Sequence, residues 1–399
     1  MKKRLLFSQL SQKLEHKNAL VITGMRQVGK TTLIKQLFDS IENKCKLFFD
    51  LENPLDQKVF EDIDYKNIFL RLKSMMPTLT NATEDRLYIF VDEIQNYPEI
   101  TRVIKYLIDH YSVKFVVTGS SNFYLKNLFP EPLSGRKFVY QLNPLSFKEF
   151  LYFRDAISEA ELQTFTMENA LKPKDVIEYK KFEVLYDEFL MFGSYPEVVL
   201  TPSKEVKTEV LRHIFKSFFE KDLKILSNSK DIRELRDLIL LLVPRVGSKL
   251  DVTKLSLELG VPRIKIYSFL EFLEGTFFIN LVSRYSKSID KAVAAGKKVY
   301  FSDTGLLRII GNVNDGQVFE NSVFNQLKEY GDISFYDQQN KSEIDFILNK
   351  KLAFEVKLTG TQAAIEETTR KAATLSISNS YVISKNFKEN ANLVYPAFL

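Results

Sequence analysis

The chain predicts an α/β fold built on a doubly wound parallel sheet, and three stretches carry that expectation. Ala19-Leu20-Val21-Ile22-Thr23 is a short apolar strand that runs directly into Gly24-Met25-Arg26-Gln27-Val28-Gly29-Lys30-Thr31, after which Thr32-Leu33-Ile34-Lys35-Gln36-Leu37-Phe38 has the apolar spacing of a helix. Arg86-Leu87-Tyr88-Ile89-Phe90-Val91 is a second apolar run, closed by the adjacent carboxylates Asp92 and Glu93. Residues 45–51 and 114–117 add strands, so strand and helix alternate from residue 1 to about 150.

The first loop is a complete G-x-x-x-x-G-K-T phosphate loop in the strand–loop–helix setting its chemistry requires. Gly24 and Gly29 let the backbone turn tightly, so that the loop through Arg26, Gln27 and Val28 aims N–H groups at phosphate oxygens. The new helix adds the positive end of its dipole. Lys30 would reach the β- and γ-phosphates, Thr31 would place its hydroxyl on Mg²⁺, and Thr32 completes the stretch expected to contact ATP. Ligands bind at the C-terminal edge of parallel strands. There Asp92 would hold the Mg²⁺ through water and Glu93 would orient and polarise the attacking water; the plainer alternative is that one of them caps a helix. The strand at 114–117 ends in Thr118-Gly119-Ser120-Ser121-Asn122, where Asn122 or Ser121 would sense the γ-phosphate or cap the next helix. Arg136 precedes another strand, residues 137–142, and is expected near the same sheet edge. Its guanidinium would stabilise a transferring phosphoryl group, on a neighbouring subunit if the chain assembles as a homo-oligomer, or form a surface salt bridge.

These residues resemble the AAA+ branch of P-loop ATPases, and more closely a family of bacterial and archaeal ATPases that pair such a domain with a C-terminal domain of unknown function. The resemblance covers nearly the whole chain. Besides the loop and Asp92-Glu93-Ile94-Gln95, it is carried by Leu133 to Arg136, Asn143-Pro144-Leu145-Ser146-Phe147, Phe192-Gly193-Ser194-Tyr195-Pro196-Glu197, Glu220-Lys221-Asp222, Lys298-Val299-Tyr300-Phe301-Ser302-Asp303-Thr304-Gly305-Leu306 and the Glu343 to Lys357 region. The family usually has a second Gly where this chain has Ser194. What the resemblance implies is ATP binding and slow hydrolysis.

Composition sets the outer limits. With 399 residues, 45% hydrophobic and 27% charged, the chain has the makings of two or three ordinary globular domains. Its one cysteine, Cys45, excludes an internal disulfide framework and fits a reducing cytoplasm. No apolar run approaches eighteen residues, and Met1-Lys2-Lys3-Arg4 leads on without a cleavage site, so neither a membrane span nor a signal peptide is expected. The net charge of +5 is uneven: residues 201–300 hold 19 Lys and Arg against 12 Asp and Glu. The 33 Phe and 18 Tyr fall mainly within apolar runs and read as core. His16, His110 and His213 show no metal-ligand spacing.

Four domains are expected: the ATPase domain over 1–150, a helical lid over 151–245, a winged helix-turn-helix over 246–290 and a nuclease-like α/β domain over 291–399. In the lid, residues 156–181 read as a solvated or mobile insertion. In the third domain, Val252, Leu255 and Leu259 mark one helix, Gly260-Val261-Pro262 the turn, and residues 264–273 a second helix that begins near Arg263 and Lys265. Residues 277–282 with Arg284-Tyr285 would form the wing hairpin. The charge excess suits contact with DNA phosphates, although winged helices also dock proteins. In the last domain a helical Glu320, Asp345 on a strand, and Glu355-Val356-Lys357 on the next resemble the PD-(D/E)xK nuclease fold, with Ile344 in place of the Pro. Asp345 and Glu355 would ligate Mg²⁺ or Mn²⁺ and Lys357 would position the water; the alternative is a structural salt bridge between Lys357 and Asp345 or Glu355. Two functions follow: an ATPase whose nucleotide state controls DNA engagement, or a nucleotide-controlled switch whose inactive nuclease-like domain docks a protein partner.

Overall fold

The computed structural model describes residues 2–42, 45–76, 86–120, 135–222, 229–286, 296–338, 342–390 and 392–399. The chain divides into two compact units, Met1–Asn143 with Gly275–Phe277, and Pro144–Glu274 with Phe278–Leu399.

The first unit is a five-stranded parallel sheet of β1 (Ala19–Thr23), β2 (Lys46–Asp50), β3 (Leu87–Asp92), β4 (Val113–Gly119) and β5 (Lys137–Gln141), in the order β2-β3-β4-β1-β5. Strands β1, β3 and β4 are buried along their whole length, which is why their sequences read as unbroken apolar runs rather than alternating ones. Val21, Ile89, Val91 and Val117 form one face of the core with Ile100, Ile104 and Leu107 of the helix Ile100–His110. The exception in β4 is Lys114, fully buried, whose ammonium donates to the carbonyls of Lys13 (2.7 Å), His16 (2.7 Å) and Asn18 (2.6 Å). Three acceptors offset the desolvation and fasten the segment that enters β1.

In the second unit, residues 156–181 are more ordered than their charge suggests. They hold two single-turn helices, Glu159–Leu162 and Met167–Ala170, and the start of Val176–Phe192, with Ser158, Thr166 and Asp175 as caps. The helix Val176–Phe192 belongs to the same unit as the C-terminal sheet. The Tyr186 hydroxyl lies 3.0 Å from both Ser322 Oγ and Gln326 Oε1, and Tyr179 donates to the Lys385 carbonyl at 2.7 Å. The helix Val176–Phe192, within the stretch 151–245 expected as a lid, therefore packs against the C-terminal sheet through Tyr179 and reaches Ser322 and Gln326 through Tyr186.

The helix pair Val252–Leu259 and Arg263–Gly275 forms as expected around Gly260, whose φ is +65°. The wing differs. Strand β6 (Ile279–Val282) pairs antiparallel with β7 (Lys298–Phe301), while Arg284 bridges to Phe335 and the Tyr285 N–H donates to its carbonyl. Ser283 alone separates β6 from Arg284, too little chain for a two-residue hairpin turn. A mixed sheet completes the unit. Its strands β8 (Ile333–Gln338), β9 (Ser342–Leu348), β10 (Leu352–Thr359), β11 (Asn379–Asn386) and β12 (Leu393–Val394) lie in the order β12-β11-β10-β9-β8. The β9–β10 hairpin turns at Asn349 and Lys350, both at positive φ, and the helix Gln362–Thr374 makes the crossover to parallel β11.

Two motif stretches without an assigned chemistry interlock here. Asp303, 2% exposed, accepts the Ser194 N–H (2.7 Å), the Ser194 hydroxyl (3.3 Å) and the Leu306 N–H (2.8 Å). A methyl group on Gly193, at φ +70°, would lie 2.2 Å from Asp303 Oδ1, and one on Gly305 would lie 2.2 Å from the Phe192 carbonyl oxygen. Ser194, where the resembling family has Gly, uses its hydroxyl on the same carboxylate.

Candidate functional site

The phosphate loop leaves β1 after Thr23 and enters the helix Lys30–Ser40, with Gly24, Gln27 and Gly29 at φ +151°, +61° and +95°. A side chain at Gly24 would begin 2.1 Å from the Leu142 carbonyl oxygen, so only hydrogen fits. Lys30 is 4% exposed and its ammonium donates to the Gly24 (3.0 Å) and Met25 (2.8 Å) carbonyls of its own loop. The cation is thus stored within the cradle it is expected to serve. Thr31 donates from its hydroxyl to Asp92 Oδ2 at 2.6 Å. Thr118, on β4 between β3 and β1, donates to Asp92 Oδ1 and accepts the Glu93 N–H at 3.0 Å. Burial raises the Asp92 carboxyl above its ordinary value, with the Thr118 and Thr31 hydroxyls pulling against it. A hydroxyl and a carboxylate in contact at the strand edge are hard oxygen donors of the kind Mg²⁺ takes, so these residues fit that ion.

Glu93 sits in the left-handed region at φ +55° and makes no side-chain cap to the short turn Ile94–Asn96, so the helix-cap alternative does not describe it. A non-glycine residue there is strained, and such strain gathers at functional positions. Its carboxylate accepts the amide of Gln95, whose own carbonyl oxygen accepts the Ser120 N–H at 3.3 Å. Gln95 thereby ties Glu93 to the end of β4, a link that a sequence cannot show because 25 residues separate Gln95 from Ser120. Arg4 was equally hidden. Its buried guanidinium donates to the Val28 carbonyl at 2.9 Å, in the middle of the loop, and to the Asn143 carbonyl at 2.9 Å. We expect Arg4→Ala to weaken ATP binding roughly tenfold by freeing the loop, with the turnover of bound ATP little changed. Titration of ATP against single-turnover rates separates the two.

Arg136 is not where its sequence position suggested. In a parallel sheet the residue preceding a strand lies at the N-terminal edge, and β5 pairs with β1 so that Lys137 faces Ala19. Arg136 therefore stands across the five-residue length of β1, about 13 Å, from the loop that follows Thr23. Its Nε lies 2.5 Å from Asp109 Oδ1, which matches the salt-bridge alternative. Ser121 and Asn122 lie outside the described residues. Arg26, Gln27, Val28 and Thr32 occupy the loop and the first turn of the helix as expected.

The second expected site is also assembled, but differently. Asp345 on β9, partly exposed, and Glu355 on β10, buried, are neighbours, and their removal from water raises both carboxyls above their ordinary values. Lys357 Nζ lies 2.8 Å from Glu355 Oε1, as the salt-bridge alternative predicts, while Asp345 Oδ2 accepts the Val356 N–H at 2.8 Å. Glu320, on the helix Asp315–Leu327, accepts the Tyr300 hydroxyl at 2.7 Å. Among the described residues no group of three or more His, Cys, Asp or Glu stands ready to hold a metal ion, so the expected second Mg²⁺ or Mn²⁺ site does not fit this arrangement. Nor is any described helix long and apolar enough to cross a membrane.

Comparison with known proteins bears on the domain that carries the first site. Residues 16–151, about a third of the chain, match the family described as AAA domain. Residues 183–317 and 315–392 match two families described as domains of unknown function, DUF8612 and DUF4143. The chain is 25% identical to an uncharacterized protein of Methanocaldococcus jannaschii over 90% of its own length and 80% of the relative's. It is 27% identical to an uncharacterized protein of Haemophilus influenzae over 84% and 82%. Among solved structures, a Walker-type ATPase of Pyrococcus abyssi aligns over 78% of this chain and 96% of that one, at 15% identity and a TM-score of 0.43.

Proposed function

We propose that the chain binds ATP through the loop Gly24 to Thr32 and hydrolyses it with Glu93 as the residue that readies the water. The observation that carries this reading is the run of hydrogen bonds from Thr31 to Asp92, Thr118 and Glu93, which joins the loop to the carboxylate edge of the sheet. Mg²⁺, with Thr31 and Asp92 as its holders, would supply charge neutralisation on the phosphates. Lys30 exchanges its two loop carbonyls for phosphate oxygens, the loop N–H groups orient the chain of phosphates, and Glu93, steadied by Gln95, accepts hydrogen from the water. Lys30→Ala should weaken ATP binding at least tenfold, because a charge-assisted contact to the ground-state phosphates is lost. Equal ATP affinity in the variant and the unaltered chain would refute the assignment.

For the second unit, the expected reading is a nuclease-like sheet and a winged helix that engage DNA under nucleotide control. Its support is the basic excess of residues 201–300 and the exposed Lys254 and Arg263. A separate observation favours the alternative, a switch whose nuclease-like domain meets a protein. Lys265 is paired with Asp231 and Glu234, Arg245 grips Glu258 at 2.7 and 2.8 Å, and the same helix pair exposes Leu257, Ile264 and Tyr267. Basic side chains engaged within the fold release few counterions on binding DNA. Gel shifts of the full chain over a salt series should therefore show weak DNA affinity with a shallow salt slope; a steep fall with salt would restore direct phosphate contact.

A further inference from the structure

Lys298, the first residue of β7, is 3% exposed and its ammonium is ringed by carboxylates. Nζ lies 2.6 Å from Glu343 Oε1, 3.8 Å from Glu320 Oε1 and 3.8 Å from Asp345 Oδ1. The ammonium also lies over the Phe335 ring, 5.4 Å from the centroid, where the negative π face favours a cation. Gly247 packs against Glu320: a methyl there would lie 2.7 Å from Glu320 Oε1. Burial works against the Lys298 charge, but Glu320, Asp345 and Glu343 outweigh it and hold the ammonium more firmly than usual. On the other side of Asp345, Lys357 neutralises only one oxygen of Glu355, and the buried Glu355 Oε2 has no hydrogen-bond partner. Four carboxyls, those of Glu320, Glu343, Asp345 and Glu355, thus gather around the ammoniums of Lys298 and Lys357, and of these two only Lys298 is deeply buried.

A divalent ion shared by Glu320 and Asp345 would need their oxygens at about 2.0–2.6 Å. Those two oxygens lie 3.8 Å from the same ammonium, and a second cation among them would be repelled at close range. We propose that Lys298 is the resident cation of this nuclease-like centre: its ammonium takes the place between Glu320, Glu343 and Asp345 that a divalent metal would occupy, and the domain keeps its fold without metal-dependent phosphodiester chemistry. The inference rests on the nuclease-like reading of the C-terminal sheet.

The experiment is a Mn²⁺ titration of the nucleotide-free full chain, read from the paramagnetic signal of free Mn²⁺, with melting curves in parallel. Wild type and Asp345→Asn should bind Mn²⁺ equally, since whatever the ATP site takes is common to both. Lys298→Met should gain one Mn²⁺ that Lys298→Met/Asp345→Asn lacks, and Mn²⁺ should raise its melting temperature. Lys298→Arg, which keeps the charge, should exclude the metal as wild type does. If Lys298→Met does not fold alone, folding recovered with Mn²⁺ supports the proposal and failure to recover overturns it. A folded Lys298→Met that gains no Mn²⁺ also overturns it. Mn²⁺ bound by wild type and lost in Asp345→Asn, without DNA cleavage, overturns the Lys298 assignment alone. Mn²⁺-dependent cleavage of DNA by wild type, lost in Asp345→Asn, overturns both this assignment and the docking reading.

Discussion

Glu93→Gln should bind ATP as the unaltered chain does and hydrolyse it about 10²- to 10⁴-fold more slowly, the range expected when a general base is removed. The glutamine keeps the size and hydrogen-bonding shape of the side chain but cannot take a proton, so the ground-state complex survives while the transition state loses its partner. Gln95→Ala makes a graded companion. Without the bridge from Ser120, the Glu93 carboxylate is free to swing, and misplacement alone should slow turnover roughly ten- to a hundredfold with little effect on affinity. Single-turnover hydrolysis beside equilibrium ATP binding reads both variants. A Glu93→Gln chain that hydrolyses at the wild-type rate would remove Glu93 from the mechanism, and a silent Gln95→Ala would make the bridge merely structural.

Gly305→Ala should cost about 3 kcal/mol of stability, the upper end of ordinary overpacking, although it adds a single methyl within a helix. That methyl would begin 2.2 Å from the Phe192 carbonyl oxygen, and the obstacle is backbone rather than a movable side chain. Gly260→Ala is the control: its position at φ +65° has nothing within 4 Å, so only the backbone strain of about 1 kcal/mol applies. Melting curves of the two variants should be well separated, and equal shifts would mean that the contact at Phe192 relaxes freely. Asp303, at the centre of the same interlock, has its carboxyl pushed up to about 6 by burial, only partly offset by the Leu306 and Ser194 donors. The folded chain therefore holds this proton more tightly than the unfolded one. Its stabilising contribution is complete below about pH 4 and is lost as the pH rises through 6. Asp303→Asn should flatten that part of the melting temperature profile, whatever constant penalty it carries; an unchanged slope would assign the pH dependence elsewhere.

The nucleotide half of this protein was legible because its signals are local. A strand, a phosphate loop and a helix must be consecutive to work, and parallel strands buried on both faces must be apolar throughout, so residues 19–38 and 86–93 announce both element and chemistry. The pair of helices around Gly260 and the hairpin at Asn349-Lys350 were legible for the same reason. Arg136 shows where local reading stops. Its place before a strand is in the sequence, but which edge of the sheet that means depends on strand direction, and parallel pairing put it across from the loop. The wing failed likewise, since β6 has its partner sixteen residues beyond its end, at Lys298.

By itself the sequence determined the parallel α/β sheet of the first unit, the phosphate-loop turn and the carboxylates at the end of β3, because each depends on neighbours along the chain. Only the tertiary structure decided what depends on neighbours in space: that Arg4 clasps Val28, that Gln95 steadies Glu93, and that Gly193 and Gly305 are small because Asp303 and Phe192 press against them. It also decided the character of the carboxylate cluster. Glu320, Asp345 and Glu355 are the residues that a metal site would use, but a buried charge takes whatever counter-charge the fold delivers. Here the pairing of β7 with β6 and the packing of the helix Asp315–Leu327 deliver Lys298.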